Sequence, residues 1–225
     1  MKINLSITLI LLSLFLFSCA SENEKKTLDE VADIYDATIS YSKNFRSVAG
    51  QKTIKEFNVN VSNSIILDTL PKAPAASNIA VLTYNNWDEK EKANYSAINV
   101  RLISQKKDTV KWHYDVSLLK NPAQKAKVFK AFNHTMLTGK YDDLNKYKDD
   151  NYIPKSIAAF VHKNIAQREK TNGKLMTCKP TLVLENKDNF QLVGVLIFNN
   201  GKRLRYYALF DKANGKDKIK GFRFL

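Results

Sequence analysis

The sequence predicts an α+β protein in which helical and strand segments are segregated along the chain. Of its 225 residues, 44% are hydrophobic, which is enough to build a folded core. Apolar residues recur at helical spacing between residues 123 and 172, and four strand-like runs then follow without an intervening helix. Runs of helices followed by runs of strands are typical of the α+β class.

The first segment predicts an exported, membrane-anchored protein. Lys2 precedes an almost wholly apolar stretch, residues 7–17, that is too short to span a bilayer comfortably. The stretch closes on Leu16-Phe17-Ser18-Cys19, which resembles the lipobox of bacterial lipoproteins. The resemblance implies that a signal peptide, residues 1–18, is removed and that the sulfur of Cys19 carries the lipid anchor. An ordinary signal peptide that happens to contain a cysteine is the alternative.

The residues after Cys19 indicate in which membrane the protein would be anchored. Ala20 stands where an aspartate would resemble the inner-membrane retention signal, so the outer membrane is favoured. Glu22 and Glu24 loosely resemble the acidic signal of lipoproteins that reach the cell surface, so both a periplasmic and a surface-facing orientation stay open. Residues 19–26 are polar and are predicted to form a lipidated tether without secondary structure.

Residues 27–119 are predicted to form a first small α+β module that resembles no family. Thr27 and Glu30 have the spacing of a capping box, which predicts an amphipathic helix from Thr27 to about Phe45. A short helix is predicted over residues 75–84. Alternating apolar residues predict strands around residues 57–61, 98–102 and 110–116, and residues 106–108 supply a polar hairpin turn between the last two.

Residues 123–225 are predicted to form a second module, separated from the first at Asn121-Pro122. The patterning predicts a helix over residues 123–137 that ends at Gly139, a short helix over 142–147, and a third helix that ends at Gly173. Strands are predicted at about residues 175–185, 190–198, 204–210 and 219–224. Asn200-Gly201 is a strong hairpin signal between the middle pair.

Two stretches of the second module carry a resemblance. Thr138-Gly139-Lys140-Tyr141-Asp142-Asp143 after the first helix, and the closing segment from Ala208 to Phe224, resemble the cystatin-like superfamily typified by nuclear transport factor two. The resemblance covers residues 123–225 and implies a cone, in which helices pack on a curved antiparallel sheet around a cavity. It implies no particular activity, because this fold hosts isomerases, dehydratases, carriers and interaction modules.

The charge balance favours anionic neighbours. The formal net charge is +14 at pH 7, and Lys2 is the single charged residue among the first eighteen. The lysines are scattered and no aromatic residues are interleaved with them, so nucleic acid is not a predicted partner. Anionic lipid head groups or envelope polymers fit this charge.

The sequence contains no motif that carries known chemistry. It has no Gly-x-Ser-x-Gly elbow and no Gly-rich phosphate loop, and its three histidines lie in three different elements, so neither a cofactor nor a metal is predicted. Cys178 precedes an apolar strand and is interpreted as a buried, inert thiol. If the cone holds a ligand, helix face and strand parity give four candidate cavity residues: His134, Tyr152, His162 and Tyr206. For each, a surface histidine or a packed tyrosine is the competing interpretation.

These observations predict a lipid-anchored cell-envelope protein with a binding or assembly role and no catalytic activity. Its partners would be the membrane, through the anchor, and a small apolar ligand or an envelope protein. One alternative is an enzyme of the isomerase or hydro-lyase type that uses the cone cavity. Another is association with anionic envelope polymers. The sequence gives no indication of oligomeric state.

Overall fold

The computed structural model describes residues 20–47, 53–153 and 155–225, and it shows an α+β protein with two four-stranded sheets. The predicted signal peptide and Cys19 lie outside the described residues. The elements in chain order are α1 (Glu22–Tyr35), β1 (Thr38–Arg46), β2 (Ile54–Ser62), α2 (Ile65–Thr69), α3 (Lys72–Asn86), α4 (Glu89–Asn94), β3 (Ala97–Ile103), β4 (Thr109–Asp115), α5 (Val116–Leu137), a 3₁₀ helix (Tyr141–Tyr147), α6 (Ile157–Asn172), β5 (Leu175–Glu185), β6 (Asn189–Phe198), β7 (Arg203–Asp211) and β8 (Ile219–Phe224). We call α1 to β4 the N-terminal half and α5 to β8 the C-terminal half.

Helix α1 begins earlier than predicted. Ser21 is its N-cap, and Ser21 and Glu24 form the capping box that was expected at Thr27 and Glu30. Both pairs have the same spacing, so the sequence alone did not distinguish them. Thr27 is instead completely buried inside the helix. The predicted tether therefore extends no further than Ser21, because the helix takes up the residues after it.

The predicted helix up to Phe45 is also wrong, because α1 ends at Tyr35 and a strand follows. Asp36 adopts a left-handed conformation, with φ of 48°, and its backbone N–H bonds to the carbonyl of Ala32. Tyr41 and Phe45 are four residues apart, a spacing that fits one helix face and one strand face equally well. Pairing with β2 along its whole length makes this segment β1.

The first sheet has the order β1-β2-β3-β4, and its central strands β2 and β3 run parallel. A parallel pair requires a long crossover, which α2, α3 and α4 provide. The predicted alternation is confirmed, because Phe57, Val59 and Val61 are completely buried on one face of β2. The predicted turn at residues 106–108 is confirmed between β3 and β4, and Lys107 has a φ of 65° there.

Helix α3 lies at the centre of the molecule and contacts elements of both halves. It packs against α1 and β3 on one side and against α5 and β5 on the other. A helix that is buried on most of its sides is expected to be apolar nearly all round. Helix α3 fits this expectation over residues 75–83. Its buried residues are Ala75, Ala76, Asn78, Ile79, Ala80, Val81, Leu82 and Thr83. The buried apolar residues of the two halves accordingly belong to one cluster.

Helix α5 begins at Val116, so the boundary expected at Asn121-Pro122 lies inside a helix and not in a linker. Pro122 lacks the N–H that would bond to the carbonyl of Leu118, and Leu118 is an exposed residue. The end of the helix is as predicted. Gly139 has a φ of 71°, and the N–H groups of Gly139 and Lys140 bond to carbonyls of the last turn in a Schellman arrangement.

The second sheet is antiparallel throughout, with the order β5-β6-β7-β8 and no closure into a barrel. All four predicted strands and the turn at Asn200-Gly201 are confirmed. One face packs against α5 and α6 through apolar residues at helical spacing, Phe129, Phe132, Val161 and Ile165, all of which are buried.

A buried lysine fixes the connection between β7 and β8. Lys125 in α5 is completely buried, and its ammonium group donates to the carbonyls of Ala213 and Lys216 at 3.1 and 2.7 Å. It also pairs with the Asp217 carboxylate at 2.6 Å. A buried cation needs such a full set of oxygen partners. This contact attaches the loop to the first helix of the C-terminal half.

The two halves are joined by hydrogen bonds at an irregularity in β5. Thr181 is an extra residue between two paired positions of β5, so the regular ladder with β6 is interrupted there. The buried Tyr35 hydroxyl donates to the Thr181 carbonyl at 2.7 Å. Asn78 in α3 donates to the Tyr35 hydroxyl at 2.8 Å and to the Pro180 carbonyl at 3.2 Å. The N-terminal half thus supplies donors to one buried and one half-buried carbonyl of the C-terminal half.

We predict that Tyr35→Phe lowers the free energy of unfolding by about 1–3 kcal/mol. The change removes the donor to the Thr181 carbonyl and leaves that buried oxygen without a partner. Urea denaturation of the two proteins measures the difference. Tyr84→Phe is the matched control, because no described residue forms a hydrogen bond with the Tyr84 hydroxyl. Equal stabilities for the two variants would contradict a role for the Tyr35 hydroxyl.

Candidate functional site

The structure does not bring the four candidate cavity residues together. His134 on α5 and His162 on α6 are exposed, and His162 stacks on Tyr141 with ring centroids 4.6 Å apart. Tyr152 is 55% exposed and lies beneath the Lys220 ammonium group. Tyr206 is completely buried. Three surface side chains and one core side chain do not line a common cavity.

Tyr206 fills the space that a cone cavity would need. Its ring lies 5.6 Å from that of Phe129 and 5.7 Å from that of Phe222, measured between centroids. Gly194 faces it across the β6–β7 pair, and a Cβ atom at Gly194 would lie only 2.5 Å from the Tyr206 hydroxyl. The glycine therefore leaves room for a large ring that occupies the inner face of the sheet.

The Tyr206 hydroxyl and the Cys178 thiol are neighbours, and both are held in their neutral forms. Burial raises the pKa of Cys178 to about 12 and raises the pKa of Tyr206 well above its usual value. Among the described residues, no partner of regular hydrogen-bond geometry satisfies the Tyr206 hydroxyl, and its contact with the Cys178 thiol is a weak one. Cys178 is half-buried, and we expect its raised pKa to make it a thiol of low reactivity at neutral pH.

A groove that both halves line lies on the other face of the second sheet. It has a volume of about 610 Å³. We call it the Arg groove; it is lined by Ala32, Asp33, Ile34, Asp36, Ile65, Ile66, Thr69, Leu70, Lys179, Thr181, Val195, Ile197, Arg203 and Arg205. The N-terminal half contributes the end of α1, α2 and the residues beside them, and the C-terminal half contributes strands β5, β6 and β7. Thr181, which accepts the hydrogen bond from Tyr35, is part of its surface.

Strand register sets the pattern of side chains in the Arg groove. Val195 on β6 pairs with Lys179 on β5 and with Arg205 on β7. In the next row on this face, Ile197 pairs with Arg203. Two apolar side chains therefore form a strip that has cationic side chains beside it.

The charges in the Arg groove are only partly compensated. Lys179 pairs with Asp33 at 2.9 Å, and Asp36 lies at the end of α1. Arg203 and Arg205 are exposed, and no carboxylate of the described residues lies within ion-pair distance of either guanidinium group. The β7 side of the groove is therefore electropositive.

A second, smaller cavity of about 230 Å³ lies between α1, α3, α5 and the second sheet. Glu30 at its edge is already engaged, since it accepts from Asn86 at 2.8 Å and from Lys130 at 2.7 Å. Asn85 donates to the Ala123 carbonyl, and its buried side-chain oxygen has no partner among the described residues. This cavity is smaller than most ligand sites.

The solvent-facing side of the first sheet carries a hydrogen-bonded row of polar side chains. His113 Nδ1 lies 2.8 Å from the Asn99 side-chain oxygen, and Asn99 donates to Glu56 and to Asn58 at 3.1 and 2.9 Å. Asn58 in turn donates to the Ser42 hydroxyl at 3.1 Å. These side chains satisfy one another, so the row is complete without a ligand.

The arginines of the groove are not among the candidate residues that the sequence predicted. Arg203 and Arg205 alternate with Leu204 and Tyr206 along a predicted strand, so strand parity places them on the face opposite to the core. The strand alternation alone therefore predicts that both arginines face away from the core. What the sequence could not show is that α1 and α2 of the distant N-terminal half lie beside this face.

The chain has no match among protein-family models, curated proteins or solved structures. Within residues 20–47, 53–153 and 155–225, no three histidine, cysteine or acidic side chains are grouped so that they could hold a metal ion. No helix in the same ranges has the length and apolar character needed to cross a membrane.

We predict a large effect for one substitution around Tyr206 and a small effect for another. Gly194→Ala lowers the free energy of unfolding by about 1–3 kcal/mol, because the new methyl group collides with the Tyr206 ring. Tyr206→Phe removes a hydroxyl in contact with the weakly bonding Cys178 thiol, and it changes the free energy by less than about 1 kcal/mol. Urea denaturation measures both.

Gly221→Ala is the matched control, because its Cβ would meet the flexible end of Leu209 at 3.0 Å and should cost less than the change at Gly194. A loss of more than about 2 kcal/mol for Tyr206→Phe would show that the hydroxyl makes an interaction that packing does not explain.

Proposed function

We propose that this chain is a lipid-anchored protein of a bacterial cell envelope that acts by binding and not by catalysis, and that the Arg groove is its binding site. The observation that carries the proposed binding site is the composition of the groove. Both halves line it, its floor is apolar, and the guanidinium groups at its edge have no partner among the described residues. A concave, mostly apolar surface with a few polar groups is the usual form of a ligand site.

The proposed anchor would hold the folded part close to the membrane. If Cys19 carries the lipid, only Ala20 and Ser21 separate it from α1, because the helix begins at Glu22. Two extended residues span about 7 Å. We propose the outer membrane as the location, on the basis of Ala20 after the cysteine, with either a periplasmic or a surface-facing orientation.

We also propose that the C-terminal half is a cystatin-like domain. Three helical segments followed by four antiparallel strands in sequential order support this proposal. The cone would serve as a scaffold in this protein, because Tyr206 and the rings around it occupy its interior. The enzyme alternative needs an open cavity with an acid and a base, and the placement of His134, Tyr152, His162 and Tyr206 does not support it.

Association with anionic partners has a specific observation in its favour. Three of the six arginines of the chain, Arg203, Arg205 and Arg223, lie on strands β7 and β8 of the second sheet and are exposed. Arginine is well suited to phosphate and carboxylate groups, because its planar donors match their geometry. Binding in the groove and attraction of anions are therefore compatible proposals.

Mass spectrometry of the full chain extracted from its host in mild detergent tests both parts of the proposal. Under denaturing conditions, we expect a chain that begins at Cys19 and carries a covalent lipid. Cys178→Ala should keep the lipid and Cys19→Ala should lose it. An unmodified Cys19 in the wild-type protein would contradict the anchor.

Under native conditions, we expect an additional non-covalent mass. Ile197→Asp should abolish it, because the carboxylate would stand in the apolar floor of the Arg groove. His134→Ala should retain it, because His134 lies outside the groove. A bound mass that is lost in His134→Ala and kept in Ile197→Asp would favour the cone over the groove.

A further inference from the structure

The two arginines of the Arg groove lie close together on one strand face. Arg203 and Arg205 are two residues apart on the same face of β7, which places their Cα atoms about 7 Å apart. With no carboxylate of the described residues beside them, their positive charges repel each other weakly across solvent. A phosphate or carboxylate between the two guanidinium groups would remove this repulsion and accept charge-assisted hydrogen bonds from both.

The floor beside these arginines suits an alkyl chain. Val195 and Ile197 are half-buried and lie directly across the strand pair from Arg205 and Arg203. Ile66 and Leu70 of the N-terminal half line the same groove, and Ile65 at its edge is 70% exposed. Exposed apolar side chains in contact with a groove are stabilised when an apolar partner removes them from water.

The other charged side chains of the Arg groove favour an anion beside Arg203 and Arg205. Asp33 is already paired with Lys179, and Asp36 stands at the end of α1. Both carboxylates belong to the α1 side of the groove, so an anionic group is favoured on the β7 side. The alkyl chain would then extend from β7 over the apolar strip toward α2.

We infer that the Arg groove binds an anionic amphiphile, with its anionic head group between Arg203 and Arg205 and an alkyl chain on Val195 and Ile197. The inference rests on the proposed function, since it assigns a ligand class to the groove proposed there. It accounts for the presence of unpaired guanidinium groups and exposed isoleucine in one concavity.

Calorimetric titration with matched amphiphiles tests the inference. The protein is the chain from Ala20 onward, which contains every described helix and strand and lacks Cys19. The probes are dodecyl phosphate, zwitterionic dodecylphosphocholine and inorganic phosphate, each below any micelle-forming concentration. We expect dodecyl phosphate to bind at least about tenfold more tightly than dodecylphosphocholine, and inorganic phosphate to bind more weakly than either.

Variants assign the binding to the groove. The double variant Arg203→Gln/Arg205→Gln should bind dodecyl phosphate no better than dodecylphosphocholine, and Arg101→Gln, an exposed arginine on the first sheet, should bind like wild type. These arginines are exposed, so their replacement should leave folding intact. Ile197→Asp should abolish binding of both amphiphiles.

The outcomes distinguish a wrong ligand class from a wrong binding site. Equal binding of the two amphiphiles, unchanged in the double arginine variant but lost in Ile197→Asp, would overturn the anionic class and leave the groove as the binding site. Tight binding of inorganic phosphate alone would overturn the requirement for an alkyl chain. Failure of every probe, or binding that Ile197→Asp leaves unchanged, would overturn both the ligand class and the groove.

Discussion

The hydrogen bonds from Tyr35 and Asn78 to β5 are the contact on which the arrangement of the two halves depends. They satisfy the carbonyls of Pro180 and Thr181, which lie where the regular ladder between β5 and β6 is interrupted. A buried carbonyl without a partner is costly, so this irregularity is stable only while the N-terminal half covers it. Helix α3 extends the same contact, because it packs on both β3 and β5.

This junction also positions the proposed binding site. The end of α1 carries Tyr35 into the junction and Ile34 into the wall of the Arg groove, while β5 contributes Thr181 to both. A ligand in the groove would touch both halves and would stabilise their association by mass action. The inner face of the second sheet offers no comparable space, because Tyr206 fills it opposite Gly194.

The sequence predicted local structure well where one periodicity was unambiguous. In the C-terminal half, the helix ends at Gly139 and Gly173, all four strands and the turn at Asn200-Gly201 are confirmed, because each combines a clear period with a specific stop signal. The local structure of the N-terminal half was predicted less accurately. Ser21 and Thr27 have equivalent capping patterns, and the spacing of Tyr41 and Phe45 fits either a helix or a strand. Neither the Arg groove nor the hydrogen bonds between the halves could be predicted. Ile34 and Arg205 line the same groove but are far apart in the chain, and local sequence patterns do not show which distant elements pack together.

We expect the two halves to unfold as one unit, because one buried apolar cluster spans both, and two probes in different halves test this directly. Trp87 and Trp112, the two tryptophans of the chain, report on the N-terminal half. Cys178 reports on β5, because burial raises its pKa to about 12 and unfolding would restore ordinary thiol reactivity near pH 8. Urea unfolding followed by tryptophan fluorescence and by pulsed alkylation of Cys178 should give coincident midpoints. Separate midpoints would show that the halves are independent domains and would contradict this expectation.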